Sequence, residues 1–355
     1  MKIFDPIHGF IVINQLEQEL IDSFPFQRLR YIHQLGNVFL VYPGATHTRF
    51  EHSLGVMHLA TEIFDQVSEG FAPGDVAYLR QILRLAALCH DIGHLPFSHT
   101  AEKRLVGLHG HEKWTERIIP SHYLQPIWEK LGKEFPGHSI AEDVAKIATG
   151  KEGLAEVITG DLFGADRIDY LRRDAHMTGL NYGLFDYEQL IGSLRRSGER
   201  IVLDLSGQEA SLALVAARGF MHKRLYHYPP VQASEFHLAR FMEHFYTDPR
   251  YFTDLESYLS MSEAQIQCAL ESCRSGESFL CREAKRLRER ALRFQAFLLP
   301  PSIEEQALQE IKKNFSIPDE LMEWEFCPHD KNWLYLAPET TFVYTHLATD
   351  LSVAR

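Results

Sequence analysis

Four residues in three separated segments have the types needed to hold a divalent metal ion: His52, the doublet His90-Asp91, and Asp166. Imidazole nitrogen with carboxylate oxygen suits borderline and hard ions such as Mn, Fe, Zn, Ni or Mg. Adjacent helical residues diverge by about 100°, so His90 and Asp91 reach one ion only where a helix ends. Gly93 and Pro96 supply that end. A lone His-Asp dipeptide arises often by chance, and a histidine capping a helix C-terminus would account for it. The other two segments weigh against that reading. Arg49 and His52 stand at i,i+3 on one helix face, and Asp166, Tyr170 and Asp174 stand at i, i+4 and i+8 on another. For Asp169 and Arg172, in the same charged stretch, the expectation is a solvated, salt-bridged face.

The elements that must position these residues follow from the apolar pattern. Residues 1–14 read as a hairpin around Asp5-Pro6 and Gly9. Helical spacing runs from Leu16 to Leu35, interrupted at Pro25, and is followed by a loop over 36–48. Helices are predicted over 49–67 and 75–90, with a break at His94-Leu95-Pro96-Phe97 and a restart near Ser98. Further helices are predicted over 138–149, 155–160, 165–178, 208–227 (ending before Pro229-Pro230) and 232–247, with one internal strand at 200–205. The expected class is mostly α with small β additions. Its chemistry lies in a core over 1–247, followed by a charged helical extension over 248–299 and a small α/β region over 300–355, beyond Pro300-Pro301.

Composition narrows the functional classes. The chain has 355 residues, 45% hydrophobic and 24% charged, as expected of a globular enzyme. No apolar run is long enough to span a membrane, and Met1–Pro6 has no signal-peptide core, so a cytoplasmic protein is expected. Five cysteines, odd in number and without CxxC spacing, exclude a disulfide framework or cysteine zinc knuckle; Cys89 reads as a buried packing thiol. A net charge of -12 argues against nucleic acid as partner, while a metal and a few arginines still permit an anionic substrate.

The ordered set His52, His90-Asp91 and Asp166 resembles the metal signature of the HD phosphohydrolase superfamily. The matching text is longer: Asp5-Pro6-Ile7-His8-Gly9, Phe26 through Ile32, Gln34-Leu35-Gly36, Pro43-Gly44-Ala45, Arg49 through Val56, and His90 through His99. These motifs are similar to those of the deoxynucleoside triphosphate triphosphohydrolase (dGTPase-like) branch, over residues 3–240 and without a SAM domain. The resemblance implies an HD-type helical fold, at least one divalent ion, a deoxynucleotide substrate and a homo-dimer or higher oligomer. It implies that the ion polarises the α-phosphate and activates the attacking water. His111-Glu112 match the family's proton-handling pair, and His94 and His99 match histidines facing the α-phosphate. Arg49, Arg167, Arg218, His222 and Tyr226 match phosphate-side residues, where an arginine fork binds oxygens in pairs. Gln34, Leu35, Tyr170 and Asp174 match the deoxyribose pocket.

Two departures bear on regulation. Asp22, Gln27 and Arg30 match residues that read a regulatory guanine nucleotide in animal members, yet Gln189, Ser193 and Ala210 replace the residues that complete that site. Asp22, Gln27 and Arg30 then serve either structure or a dimer contact. A second ion near His94 and His111 stays open. So do an HD hydrolase of another nucleotide (a monophosphate, cyclic nucleotide or guanosine alarmone) and a low-turnover nucleotide sensor.

Overall fold

Strands Lys2–Asp5 and Gly9–Val12 pair antiparallel, Lys2 opposite Val12 and Asp5 opposite Gly9. The Asp5 carboxylate closes the turn by accepting the Ile7 and His8 amides at 2.8 and 3.0 Å. This hairpin belongs to a computed structural model that describes residues 1–289, except positions 70, 108–109, 152, 161–162, 199 and 274–275, together with 335–336 and 342–343.

The centre is a pair of packed helices, Arg49–Val67 and Pro73–Cys89, with Ala165–Thr178 laid against the first. Thr48 and Glu51 form a capping box that starts the first helix at the residue before Arg49, and so fixes which face carries His52. Leu54, Met57, Ile63, Leu83, Ala86 and Leu88 along these helices are at most 1% exposed. Each large apolar side chain so buried contributes about 1.5–3 kcal/mol relative to exposure. The second helix stops at Cys89 with His90 as its C-cap, which puts the His90-Asp91 doublet where two adjacent side chains can converge.

The class is as read from the pattern: mostly helical, with small two-stranded antiparallel sheets. Several elements differ in place or extent. Helices Gly110–Ile118 and Gln125–Glu134 occupy a stretch to which the pattern assigned none. Their buried faces are narrow, Trp114 and Ile118 in one and Ile127, Trp128 and Leu131 in the other, among many charges. Strand Arg200–Leu203 has a partner, Leu194–Ser197, whose Arg195-Arg196 centre hides its strand character. The predicted helix over 208–227 runs to Met221 and then widens into a π-helical turn at His222–Tyr226. The next helix begins at Pro229, not 232, with proline in the first turn, where its missing N–H costs nothing. No helix restarts at Ser98: Phe97 and Ser98 take left-handed φ angles of 59° and 55°, and the short helix Glu102–Leu105 follows.

The chain divides into two compact units, Met1–Arg293 and Phe294–Arg355. Helices Leu255–Leu259, Glu263–Ser272 and Phe279–Arg288 lie within the first unit. In the second, Tyr335–Leu336 pairs antiparallel with Phe342–Val343. The rest of the predicted α/β region over 300–355, and positions 290–299, lie outside the described residues. Among the described residues, no helix is long and apolar enough to cross a membrane.

Candidate functional site

His52, His90 and Asp91, from two helices, bring one ligand atom each within 4.8 Å of one another. Asp166, in the first turn of Ala165–Thr178, places Oδ1 3.0 Å from His52 Nε2 and 3.8 Å from His90 Nε2. Asp91 Oδ2 lies 3.5 Å from His52 Nε2, and Asp91 Oδ1 3.4 Å from His90 Nε2. Both Nε2 atoms are buried and make no hydrogen bond. Both Nδ1 atoms do: His52 donates to Asp169 Oδ2 at 2.8 Å and His90 to Ala87 O at 2.8 Å. Those bonds engage each Nδ1 and leave each Nε2, the second ring nitrogen, facing the carboxylates. Two imidazole nitrogens and the Asp91 carboxylate, all buried, with the part-exposed Asp166 carboxylate beside them, make a donor set of the kind a divalent ion takes. The field there agrees. Burial alone would lower the His52 pKa, yet Asp166, Asp169 and Asp91 outweigh it and raise it to about 10.

Asp169 corrects the expectation of a solvated face. It is fully buried and makes four hydrogen bonds to three residues: His52, His8 Nε2 at 2.6 Å, and Arg173 through Nε at 2.8 Å and Nη2 at 3.0 Å. Arg173 in turn donates Nη1 to Asp5 Oδ2 at 2.8 Å. Arg172 instead lies over the Tyr187 ring at 3.6 Å. Asp169 therefore orients His52 from behind. An Asp169→Asn change is expected to weaken Mn(II) affinity by about 10–100-fold, the usual penalty at such outer positions. Titration calorimetry of the purified protein checks this, and an unchanged affinity would remove Asp169 from that role.

A second cluster abuts the first. His94 Nε2 sits 3.2 Å from Asp91 Oδ1. Its ring stacks on His111 with centroids 4.0 Å apart at 12°, and meets His99 edge-on at 4.6 Å. Besides its sequence neighbour Glu112, His111 meets a second carboxylate, Glu102, whose Oε1 accepts His111 Nδ1–H at 2.5 Å and the His111 amide at 2.9 Å. Glu102 Oε2 accepts His99 Nδ1–H at 2.6 Å. Burial opposes ionisation of Glu102, but the two histidines hold its carboxyl well below the ordinary range. Burial, Arg49 and His111 keep His94 well below the ordinary imidazole value, hence neutral. His94, His99, Glu102 and His111 are close enough to hold an ion of their own.

The residues matched to substrate binding flank these clusters. Arg49 donates Nη1 to Asp91 Oδ2 at 2.5 Å and Nε to Ser98 Oγ at 2.8 Å. Asp174 is held by His47 Nε2 at 2.7 Å and the Tyr226 hydroxyl at 2.6 Å; His47 was not singled out in the sequence. Tyr226 packs edge-on against Tyr170 at 6.0 Å and against His222 at 5.1 Å. Burial first, then His227, Arg218 and Arg167, depress His222 to about 3, while burial, Asp174 and Asp166 push the neighbouring Tyr226 hydroxyl up. Arg167 also donates to Gly160 O at 3.1 Å. Gln34 and half-buried Leu35 follow His33; the Gln34 amide bonds His47 O at 3.0 Å, while its side-chain oxygen is buried without a partner. Asp22 is exposed, and Gln27 and Arg30 bond each other at 2.9 Å, Arg30 lying over Phe50 at 3.5 Å. Gln189 donates to Ser206 O at 2.8 Å, and Ser193 and Ala210 are buried.

Comparison with known proteins agrees with this geometry. The HD domain profile matches residues 49–174. The chain is 34% identical to the uncharacterized protein YwfO of Bacillus subtilis over 285 residues, 75% of this chain and 64% of that one. It is 39% identical to the deoxynucleoside triphosphate triphosphohydrolase SAMHD1 of Gallus gallus over 223 residues, 54% of this chain and 36% of that one. It thus spans less than two thirds of the length of these curated relatives. Among solved structures, a hypothetical protein from Aquifex aeolicus superposes with a TM-score of 0.76 at 35% identity, covering 90% of this chain and 83% of that one. A phosphohydrolase from Bacteroides thetaiotaomicron gives 0.73 at 28% identity, covering 89% and 84%. With its helices, its histidine–aspartate cluster and these relatives in agreement, the chain belongs to the HD-domain phosphohydrolase superfamily.

Proposed function

We propose that the protein hydrolyses a deoxynucleoside triphosphate to the deoxynucleoside and inorganic triphosphate, with water attacking the α-phosphorus. The observation that carries this reading is the helix Ala165–Thr178, which bears a metal-type ligand, Asp166, and two turns on the restrained carboxylate Asp174 beside Tyr170 and Tyr226. A carboxylate fixed by His47 and Tyr226 is suited to accept a sugar hydroxyl, and the two aromatic rings crowd the adjoining sugar carbon. Similarity to a relative named for dNTP triphosphohydrolysis supports it.

His52, His90, Asp91 and Asp166 would hold the divalent ion, which when bound supplies Lewis acidity and a lowered water pKa. Arg49, Arg167 and Arg218 would hold phosphate oxygens. Glu102 fixes the Nδ1–H tautomer of His111 and His99, so Nε2 is the basic atom of both rings. His111 Nε2 then takes a proton from the attacking water, and His99, entering as the imidazolium with its Nδ1–H held by Glu102, delivers its Nε2 proton to the departing 5'-oxygen.

The test is product identification. Protein loaded with Mn, Mg, Fe or Zn is offered each dNTP, NTP and guanosine alarmone, and the phosphates are resolved by ion chromatography. Triphosphate with a deoxynucleoside is expected, with the ribonucleotides disfavoured by about tenfold or more, the scale of one mispaired hydroxyl. Release of pyrophosphate or monophosphate, or binding without turnover under every metal, sinks the reading.

A further inference from the structure

The segment after the His90-Asp91 doublet holds two consecutive non-glycine residues in the left-handed region, Phe97 and Ser98. Such residues carry a steric cost and persist where their surroundings fix them. What fixes them here comes from distant parts of the chain. Glu263, the first residue of the helix Glu263–Ser272, is 5% exposed, and its Oε1 accepts both the Phe97 amide at 2.9 Å and the His33 amide at 2.8 Å. Its Oε2 faces the His33 ring nitrogen Nδ1. Ser98 Oγ donates to His33 O at 2.6 Å. One helix earlier, the fully buried Tyr258 donates its hydroxyl to Gly93 O at 2.5 Å.

A single carboxylate thus joins the backbones of two segments far apart in sequence. One bears His94 and His99; the other runs directly into Gln34 and Leu35. Gly36 shows how closely they meet, since a Cβ there would lie 2.6 Å from Thr100 Oγ1 and 2.9 Å from Phe97 O. A buried carboxylate with three donors is satisfied, and the N-terminus of its helix favours its charge.

We propose that Glu263, assisted by Tyr258, is a positioning residue that locks the 93–99 loop to the 33–36 segment and so sets the proton-handling histidines against the substrate pocket. Neither residue lies within the segment 49–174 matched by the HD domain. The catalytic half of this inference rests on the function proposed above; the locking half does not.

The experiment uses the full chain as Glu263→Ala, Glu263→Gln and Tyr258→Phe. Hydrogen exchange by mass spectrometry is expected to quicken by about tenfold or more over residues 93–100 in Glu263→Ala, with peptides of Arg49–Val67 unchanged. With dGTP and Mn(II), kcat falls about 100-fold, the scale of a misplaced catalytic group, while KM and Mn(II) affinity move little. Glu263→Gln keeps an acceptor for both amides and is expected to restore most of kcat, and Tyr258→Phe to show a smaller loss. Unchanged exchange over 93–100 in Glu263→Ala overturns the proposal. So does exchange that quickens throughout the chain in Glu263→Gln, which marks a merely structural residue, or an unchanged kcat in Glu263→Ala. If the wild-type protein turns over no nucleotide, the proposed function fails and the exchange result alone decides the locking role.

Discussion

Arg173→Met lowers the unfolding free energy by about 3–5 kcal/mol, the cost of removing one partner from a buried ion pair. Arg173 is 1% exposed and gives three hydrogen bonds to two carboxylates, Asp169 and Asp5. Methionine fills much of the same volume, so a cavity is not the cause. Both carboxylates are instead left in the interior without their cation. Burial by itself would raise the Asp169 pKa; the Arg173 charge leads the effects that hold it well below the usual range. Urea unfolding checks this as a lower midpoint at an unchanged m-value. A change below about 1 kcal/mol, the value of an ordinary exposed pair, means that Arg173 is not the keystone of this network.

Asp91→Ala abolishes metal binding and, on the proposed function, cuts hydrolysis by roughly 1000-fold or more. Lewis-acid assistance is worth several kcal/mol, and each 1.36 kcal/mol is a decade in rate. Asp91 is the common member of the site. Its Oδ1 approaches His90 and His94, and its Oδ2 approaches His52 and Arg49. Its loss deprives the metal of a ligand and separates Arg49 and His94 from the centre. Thermal unfolding separates this from misfolding: wild-type protein gains stability with added Mn(II) by mass action, and the variant does not. Variant protein that still binds Mn(II) within about threefold of wild type, a difference under 1 kcal/mol, places the metal elsewhere.

The cluster His52, His90, Asp91 and Asp166 was legible because candidate ligands are defined by side-chain type and local spacing, and both are in the sequence. The outer residues were not. Asp169 and Arg173, four apart in a charged helix, have the text of a surface ion pair; whether that face is wet depends on what packs on it. Gly55 is the trace they leave, since a Cβ there would lie 1.9 Å from Asp169 Oδ1. Glu102 stands nine residues before the His111 it orients, and the adjacent Glu112 was the more visible partner. Glu263 is 230 residues from His33, and nothing local marks it. The fold followed the same division. The long central helices were read closely, whereas the short Gly110–Ile118 and Gln125–Glu134 were passed over although Trp114, Thr115 and Ile118, and Ile127, Trp128 and Leu131, recur at helical spacing.

The N-terminal hairpin reaches the metal cluster through Asp5, Arg173, Asp169 and His52, contacts that span 168 and 117 residues of chain. During synthesis the hairpin and His52 precede the helix Ala165–Thr178 by more than a hundred residues. Closing such long loops carries an entropic cost that only the later contacts offset, and domains with distant contacts fold slowly. The contacts that tie His52 to the hairpin therefore close only once the helix Ala165–Thr178 has been made and docked.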